Sequence, residues 1–370
     1  MDCDILVVGS GSVAETTCRT LALTAPCPLQ VTVLGRSRAW VDDLAALVNA
    51  LSGGRGTRAS FVADTIDWES ADDLPKKLDR YHAKLVFQTA SLQSPWDFLG
   101  VTAETRWKKL VWDAGNAIIL PMQIVLAKRV AETVRKLDPT PILVNACFPD
   151  WVNPILRYLN LPITCGIGNV AMFASCLKAR YPADRVQIVG HLYHFFKILG
   201  TNHSKPTSPR VWINDREVPD VEKTLAAAFH DLRSVNARGK LVNEIVGAVS
   251  AEVLLALLAD TMIATHVPGP NGLPGGYPVH IGAGRVELNL PPGCDETTAI
   301  TLNENGAYDM GAAVIDDAGF SRFSSTAEAL LTPYTSRFGA GFHIDDLDAA
   351  CSEMVKLRDY LEHEPPLNGR

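Results

Sequence analysis

The sequence predicts an α/β protein in which a doubly wound parallel sheet comes first and an α+β domain follows. Short apolar runs alternate with segments of helical periodicity through residues 1–150, which favours parallel strands joined by right-handed crossovers. The first apolar run, 4–8, leads directly into a glycine-rich turn and a helix start. Helices and strands follow one another less regularly after residue 150. We therefore expect two domains, at 1–150 and 151–370.

Apolar spacing predicts the elements of the first domain. Short apolar runs bounded by turn residues indicate buried strands, and apolar residues three and four apart indicate helices. The predicted strands are 4–8, 29–34, 59–63, 84–89 and 141–146. The predicted helices are 13–24, 38–51, 72–80 and 104–137. In such a sheet, ligands bind beyond the carboxyl ends of the strands.

The same criteria predict a mixture of elements in the second domain. A strand pair over 211–218 would turn at Asn214 and Asp215, since both residue types tolerate the backbone of a tight hairpin turn. The other predicted strands are 163–165, 185–189, 277–281, 285–290 and 298–302, and the predicted helices are 169–180, 239–265 and 345–362.

The segment Gly9-Ser10-Gly11-Ser12-Val13-Ala14 is the most informative motif of the chain. It places G-x-G-x-x-A between a strand and a helix, which is the dinucleotide-binding pattern of a Rossmann domain. Gly9 permits the tight turn, and Gly11 lets a pyrophosphate approach the main chain. The N–H groups at the start of the helix then face the phosphates. The predicted cofactor-binding residues here are Gly9, Ser10, Gly11, Ser12 and Val13.

The residues after the second strand indicate which dinucleotide to expect. An NAD site usually has an acidic residue there, which binds the ribose hydroxyls. This chain has Gly35-Arg36-Ser37-Arg38, whose guanidinium groups and hydroxyl suit a 2′-phosphate. NADP is therefore predicted in preference to NAD, with two solvated loop arginines as the alternative. Thr89 and Ala90 at the end of the fourth strand and Asn145 at the end of the fifth complete the predicted cofactor site.

Composition argues against several classes of function. The 370 residues carry a formal net charge of −7, and no basic stripe suggests a nucleic-acid partner. The most apolar later segment, 241–267, contains three acidic residues, which indicates a packed helix rather than a membrane span. The eight cysteines form no CxxC pair, as is typical of reduced thiols in the cytoplasm. The first strand begins almost at residue 1, so we expect no signal peptide and a cytoplasmic protein.

Three segments carry a family resemblance. Glu104-Thr105-Arg106-Trp107 opens a helix, Asn145-Ala146-Cys147-Phe148-Pro149-Asp150 ends the fifth strand, and Gly275-Gly276-Tyr277-Pro278-Val279 starts a late strand. With the element order, they resemble the lactate and malate dehydrogenase superfamily. The resemblance implies a C-terminal α+β domain of that type. It also implies that Arg106 matches a mobile catalytic arginine and that Asn145 touches nicotinamide and substrate.

Two catalytic motifs of that superfamily are replaced in this chain. Segment 169–175 lacks the Asp and Arg that its members carry on one helix, and 189–196 lacks their Gly-Glu-His-Gly-Asp-Ser motif. Ordinary 2-hydroxy-acid chemistry thus loses its carboxylate-binding arginine. The second replacement resembles the related NAD-dependent family 4 glycoside hydrolases, whose metal-binding cysteine and histidine would correspond to Cys165 and His194. Two ligands are few for a metal, so no metal site is predicted.

His191 and His194 are the candidates for a general acid. A carbonyl that receives a hydride also needs a proton, and imidazole titrates near neutral pH. His194 is slightly preferred, and the alternative is that both rings pack among neighbouring aromatic side chains. Arg106 could polarise the carbonyl, or could be an ordinary helix-face charge. Gln93 and Trp96 lie in a loop that could close over the cofactor.

These features together predict an NADP-dependent oxidoreductase that transfers hydride between NADPH and a small carbonyl or imine substrate, with Arg106 orienting an acidic one. Two alternatives stay open. One is a nicotinamide-assisted glycosidase or lyase with a metal held by Cys165 and His194, and the other is a dinucleotide-binding protein without catalysis. The apolar face of helix 239–265 predicts a homodimer, with core packing as the alternative. No nucleic-acid or membrane partner is expected.

Overall fold

The computed structural model describes residues 3–94, 105–194, 207–236 and 242–363, so Trp96 of the predicted covering loop lies outside it. The strands are β1 Cys3–Val8, β2 Leu29–Gly35, β3 Ala59–Thr65, β4 Ala83–Gln88, β5 Ile142–Asn145, β6 Cys165–Gly166, β7 Val186–Val189, β8 Arg210–Ile213, β9 Arg216–Glu217, β10 Ile263–Pro268, β11 Gly276–Gly282, β12 Arg285–Leu288, β13 Phe320–Arg322 and β14 Gly341–His343. The helices are α1 Ser12–Thr24, α2 Arg38–Arg55, α3 Asp73–Tyr81, α4 Arg106–Ala114, α5 Leu120–Val134, α6 Pro149–Tyr158, α7 Asn169–Arg180, α8 Val221–Asn236, α9 Asn243–Leu258, α10 Glu296–Asp309, α11 Ser325–Leu331 and α12 Leu347–His363.

Six parallel strands form the N-terminal sheet in the order β3-β2-β1-β4-β5-β6. The chain moves outwards from β1 to β3 and then returns to place β4 beside β1. The order therefore reverses between β1 and β4, which is the switch point of a doubly wound sheet. The four residues from Ile5 to Val8 are completely buried, which explains the continuous apolar run of this strand. The predicted fold class is confirmed.

The predicted helix 104–137 is wrong, because the chain bends at Gly115. This residue has φ 95°, and a Cβ there would lie 2.2 Å from the carbonyl oxygen of Met310. The result is α4, a short 3₁₀ turn and α5. In the described parts of the chain, no single helix is long and apolar enough to span a membrane. One pair of consecutive helical segments in these parts is long and apolar enough for a span only when its members are counted together. The pair is Arg106–Ala114 and Asn116–Val134, and the two are bent by 115° relative to each other.

Antiparallel sheets dominate the second domain. β7, β8 and β9 form one sheet and β10, β11 and β12 another, and a bridge between Gly190 and Gly276 links them. The predicted strand pair over 211–218 is confirmed as β8 and β9, with Asn214 and Asp215 at φ 49° and 63° in its turn.

Two further sequence predictions for this domain are wrong. The predicted strand 298–302 lies inside α10, because the Asp295 side chain accepts a hydrogen bond of 2.7 Å from the Thr298 N–H and so caps a helix there. Its β-branched residues favoured a strand in the sequence. The predicted helix 239–265 ends at Leu258, and β10 begins at Ile263.

Helix α9 packs tightly on α1 of the same chain. A Cβ at Gly247 would lie 2.6 Å from the main-chain carbon of Thr16, and the Asn243 side chain donates a 2.7 Å hydrogen bond to Ser12 Oγ. Core packing therefore accounts for the apolar face from which we predicted a homodimer. The homodimer itself stays a prediction, without support from this helix.

We expect Gly247→Ala to destabilise the protein, although alanine is the better helix former. The added methyl group meets backbone, so α9 must move away from α1, at a cost of about 1–3 kcal/mol in unfolding free energy. Gly53→Ala in α2 is the matched control, since a Cβ there meets nothing within 4 Å. It should stabilise by up to about 1 kcal/mol. Urea unfolding measures both changes, and equal stabilisation by the two variants would contradict the packing.

Candidate functional site

The turn between β1 and α1 leaves no room for a side chain at Gly9. Its φ is 119°, and a Cβ would lie 2.4 Å from Thr89 Oγ1 and 2.8 Å from the Ala90 nitrogen. The Gly9 N–H donates to the Leu34 carbonyl at 2.8 Å, so the ends of β1, β2 and β4 are held together. A Cβ at Gly11 would meet nothing within 4 Å. The start of α1 is therefore open to a ligand.

A cavity of about 620 Å³ lies beyond the carboxyl ends of β1, β2, β4 and β5. Nine of the twelve predicted cofactor residues line it: Gly9, Ser10, Gly11, Ser12, Val13, Gly35, Arg36, Thr89 and Ala90. Ser37, Arg38 and Asn145 do not. The cavity thus coincides with the site expected from the glycine pattern.

Ser37 and Arg38 have local partners outside the cavity. Ser37 is the N-cap of α2, where its Oγ accepts a hydrogen bond from the Trp40 N–H. Arg38 Nε lies 3.1 Å from an Asp42 oxygen, and its Nη1 lies 3.7 Å from Asp64 Oδ1. Of the two predicted phosphate-binding arginines, only Arg36 faces the cavity.

Asp64 has several positively charged side chains around it, in addition to Arg38. Its Oδ2 lies 2.6 Å from Lys77 Nζ and accepts a 2.7 Å hydrogen bond from the Tyr81 hydroxyl, and Arg80 Nη1 is 3.8 Å away. Partial burial alone would raise the pKa of Asp64, but the bonds from Lys77 and Tyr81 hold it below its usual value. The Asp64 carboxylate therefore stays ionised, and it attracts the Arg38 guanidinium, which lies outside the cavity.

Asn145 shapes the turn after β5 instead of facing the cavity. Its Nδ2 donates to the Cys147 carbonyl and to Asn153 Oδ1, both at 3.0 Å, and its Oδ1 accepts from the Cys147 N–H at 2.9 Å. The contact of this side chain with nicotinamide that the resemblance implied stays a prediction. The turn presents Ala146 and Cys147 to the cavity instead. Burial raises the pKa of Cys147 to about 12, so its thiol stays protonated.

His191 and His194 form a buried pair, 0% and 1% exposed, and neither lines the cavity. His191 Nδ1 accepts a 3.1 Å hydrogen bond from the Tyr193 N–H. His191 Nε2 lies 4.0 Å from Asp150 Oδ1, and the Trp151 ring packs edge-on at 4.3 Å. His194 Nδ1 accepts a 3.0 Å hydrogen bond from the His191 N–H. The structure thus brings the two histidines together beside a carboxylate that the sequence did not single out.

Asp150 is that carboxylate, at the start of α6, and it is completely buried. Its Oδ1 accepts from the Leu192 N–H at 3.0 Å, and its Oδ2 accepts from Asn169 Nδ2 at 2.7 Å. Burial raises the pKa of Asp150 to about 6, and burial together with nearby His194 lowers the pKa of His191 well below its usual value. Through Asn169, the first residue of α7, the carboxylate of α6 is bonded to α7.

Arg106 and the alternative metal site are placed elsewhere. Arg106 is half-buried at the first residue of α4, which packs against α11 and α12, and it does not line the cavity. Cys165 is buried in β6, and burial raises its pKa. Among the residues with described positions, no group of three or more His, Cys, Asp or Glu side chains could hold a metal ion. The described residues therefore offer no third protein ligand for a metal held by Cys165 and His194.

Sequence reasoning missed the contributions of two helices to the cavity. Gln123 and Leu126 of α5 line it, and so do Arg358, Asp359 and Glu362 of α12. Arg358 Nη1 donates a 2.9 Å hydrogen bond to the carbonyl of Leu92, after β4. The bond between Arg358 and Leu92 joins residues 266 positions apart, so no local sequence pattern indicates it.

Solved structures with the same fold are known. The malate dehydrogenase of Cryptosporidium parvum matches with TM-score 0.52 and 13% identity, covering 84% of this chain and 99% of that one. The lactate dehydrogenase of the same organism, complexed with lactic acid and NAD, matches with TM-score 0.50 and 15% identity, covering 83% of this chain and 95% of that one. The malate dehydrogenase of Salinibacter ruber matches with TM-score 0.50 and 14% identity, covering 97% of this chain and 99% of that one. No family model and no curated protein sequence matches the chain.

The fold is therefore that of the lactate and malate dehydrogenases. A Rossmann sheet comes first and an α+β domain follows, as the sequence and its resemblance predicted. Identities of 13–15% show the fold alone, so the chemistry must be argued from the residues of this chain.

We expect Asp150→Asn to change how stability depends on pH. Because burial raises the pKa of Asp150 from 3.8 to about 6, the folded state binds this proton more tightly than the unfolded chain. That contribution is complete below pH 3.8 and is lost as the pH rises through about 6. Between about pH 4 and about pH 7 the wild type should lose about 1–3 kcal/mol relative to the variant. Urea unfolding at both pH values measures this loss, and parallel pH profiles would contradict it.

Proposed function

We propose that this chain is an NADP-dependent oxidoreductase that exchanges hydride between NADPH and a small carbonyl or imine substrate. The observation that carries the proposal is the cavity at the switch point of the sheet, lined by the glycine turn and by Arg36. Open α/β sheets bind their ligands at this place. The homodimer and the cytoplasmic location expected from the sequence stay predictions.

The residues around the cavity fit a nicotinamide dinucleotide. Gly9 closes the turn without a side chain, and Gly11 leaves its face open for a pyrophosphate. Gln123 adds a buried side-chain oxygen that lacks a hydrogen-bond partner among the described residues. A bound nicotinamide supplies or accepts a hydride. The lactate dehydrogenase with this fold was solved with NAD, which supports a cofactor of this class.

The proposal for NADP now rests mainly on Arg36. It follows β2 and lines the cavity, whereas Arg38 pairs with Asp42 and Asp64. A guanidinium group can grip a phosphate with two parallel hydrogen bonds. No acidic side chain stands among the first three residues after β2 to favour the ribose hydroxyls of NAD. Arg36 would therefore hold the 2′-phosphate.

His194 is the proposed general acid. Its Nδ1 accepts a hydrogen bond from the His191 N–H, so a neutral His194 ring carries its proton on Nε2. His191 uses Nδ1 for the Tyr193 N–H and turns Nε2 towards Asp150, so it positions its neighbour rather than meeting the substrate. Arg106 would orient an acidic substrate. Its place outside the cavity makes this the weakest of the proposed roles.

A second candidate is a dinucleotide-binding protein without turnover. The observation that favours it is the burial of both histidines away from the cavity. For this candidate, the buried cluster of Asp150, His191 and His194 stabilises the second domain. The cavity then binds NADP without any reaction. The two candidates share the cofactor and differ in whether a substrate reacts.

We expect Arg36→Ala to raise the dissociation constant for NADPH by about 10- to 100-fold and to change that for NADH little, because a charge-assisted phosphate contact is lost. Arg38→Ala is the matched control. It should have a smaller effect, since its partners are Asp42 and Asp64. Calorimetry on nucleotide-free protein measures both. Equal losses for the two cofactors would remove the argument for NADP.

Turnover separates the two candidate functions. NADPH oxidation is followed with a panel of 2-oxo acids, ketones, aldehydes and imines. For a substrate that reacts, His194→Gln should lower kcat by about 10²- to 10⁴-fold and leave NADPH binding unchanged, because the proton donor is lost. The exposed His280 offers a control, and His280→Gln should keep kcat. NADPH binding without turnover on the whole panel would favour the second candidate.

A further inference from the structure

Gln123 carries a buried side-chain oxygen without a hydrogen-bond partner among the described residues. The residue is 1% exposed on α5 and lines the cavity. Its Nε2 donates to the main-chain carbonyl of Gln93, and the opposite amide orientation would bring two oxygens together. Within the described ranges, Oε1 has no hydrogen-bond partner. A buried acceptor without a partner is costly, so a ligand in the cavity is expected to donate to it.

Gln123 lies on a helix that is bonded to the segment after β3, and the adenosine end of the proposed dinucleotide would lie on that side of the sheet. One turn further along α5 is Leu126, and Arg129 then donates through Nη1 to the Trp68 carbonyl at 3.3 Å. Helix α5 is therefore tied to the segment after β3, and Trp68 and Leu126 line the cavity with Gln123. Arg36, the proposed 2′-phosphate ligand, follows the neighbouring β2. The opposite end of the cavity lies at the β5 turn.

Four side chains of the cavity wall are apolar or are carboxylates that accept hydrogen bonds. Trp68 and Leu126 offer flat or apolar surface for a ring, while Asp359 and Glu362 are carboxylates. Arg358, the nearby donor, is already engaged, because its Nη1 donates to Leu92 and its Nε to Asp359 Oδ1, both at 2.9 Å. A base with an amino group at the matching edge suits these surroundings. A base with a carbonyl oxygen there does not.

We propose that Gln123 Oε1 accepts a hydrogen bond from the exocyclic amino group of the adenine base, so that the cavity selects an adenine dinucleotide over a 6-oxopurine one. Adenine carries an amino donor at its sixth position, and hypoxanthine carries an acceptor oxygen there. The 6-oxopurine would place this oxygen against Gln123 Oε1 and leave both without a donor. Gln123 is thus a specificity-determining residue of the proposed cofactor site, and the inference rests on the proposed function.

The test compares NADPH with its deaminated analogue, in which hypoxanthine replaces adenine. Calorimetry on the nucleotide-free full chain should show at least about tenfold weaker binding of the analogue to the wild type. Gln123→Met keeps the side-chain volume but removes the acceptor. It should weaken NADPH binding and bring the ratio of the two dissociation constants close to one.

Gln187→Met is the matched control. Gln187 is also buried, donates through Nε2 to the Asn289 carbonyl at 2.6 Å, and leaves Oε1 without a partner among the described residues, but it lies outside the cavity. This variant should keep the wild-type ratio.

Equal affinities of the wild type for the two dinucleotides would overturn the base selection and leave the proposed function standing. Binding of neither dinucleotide would overturn the proposed function. The ratio of the dissociation constants for NADPH and its deaminated analogue is measured on the wild type alone. The inference is therefore tested even if Gln123→Met does not fold.

Discussion

The close approach of β1 and β4 at Gly9 is the constraint on which the cavity depends. A Cβ at Gly9 would meet Thr89 Oγ1 at 2.4 Å, so any side chain there would push the two strand ends apart. Main-chain bonds from Gly9 to Leu34 and from Thr89 to Val8, both 2.8 Å, hold the three strand ends together. Because these ends are fixed, α1 starts with its N–H groups facing the space between them.

The turn after β5 divides the site into two parts with different chemistry. On one side Ala146 and Cys147 close the cavity, and on the other Asp150 faces the buried histidines. Asn145 holds the turn from within by bonding to Cys147 and Asn153. Burying a carboxylate beside imidazoles is costly unless their bonds are well satisfied. The hydrogen bonds from Leu192 and Asn169 to Asp150 supply part of this compensation.

How much the sequence could predict depends on the range of the interactions. The parallel sheet and the glycine turn follow from local apolar runs and from residues adjacent in the chain, and both were predicted. Helix 104–137 was predicted without its break, because the cause is the contact between Gly115 and Met310. Asp150 was missed because its partners, Asn169 and Leu192, come from later elements. Local sequence predicted the parallel sheet and the glycine turn that lines the cavity, and tertiary contacts decide the rest.

Charge at the cavity wall would orient the dinucleotide that we propose as the ligand. Arg36 and the start of α1 attract phosphate, whereas Asp359 and Glu362 of α12 repel it. A dinucleotide lowers its electrostatic energy by turning its phosphates towards the first pair and its uncharged base towards the second. Arg358 fixes α12 in this place by bonding to the Leu92 carbonyl. The last described helix, α12, therefore shapes the cavity together with the glycine turn after β1.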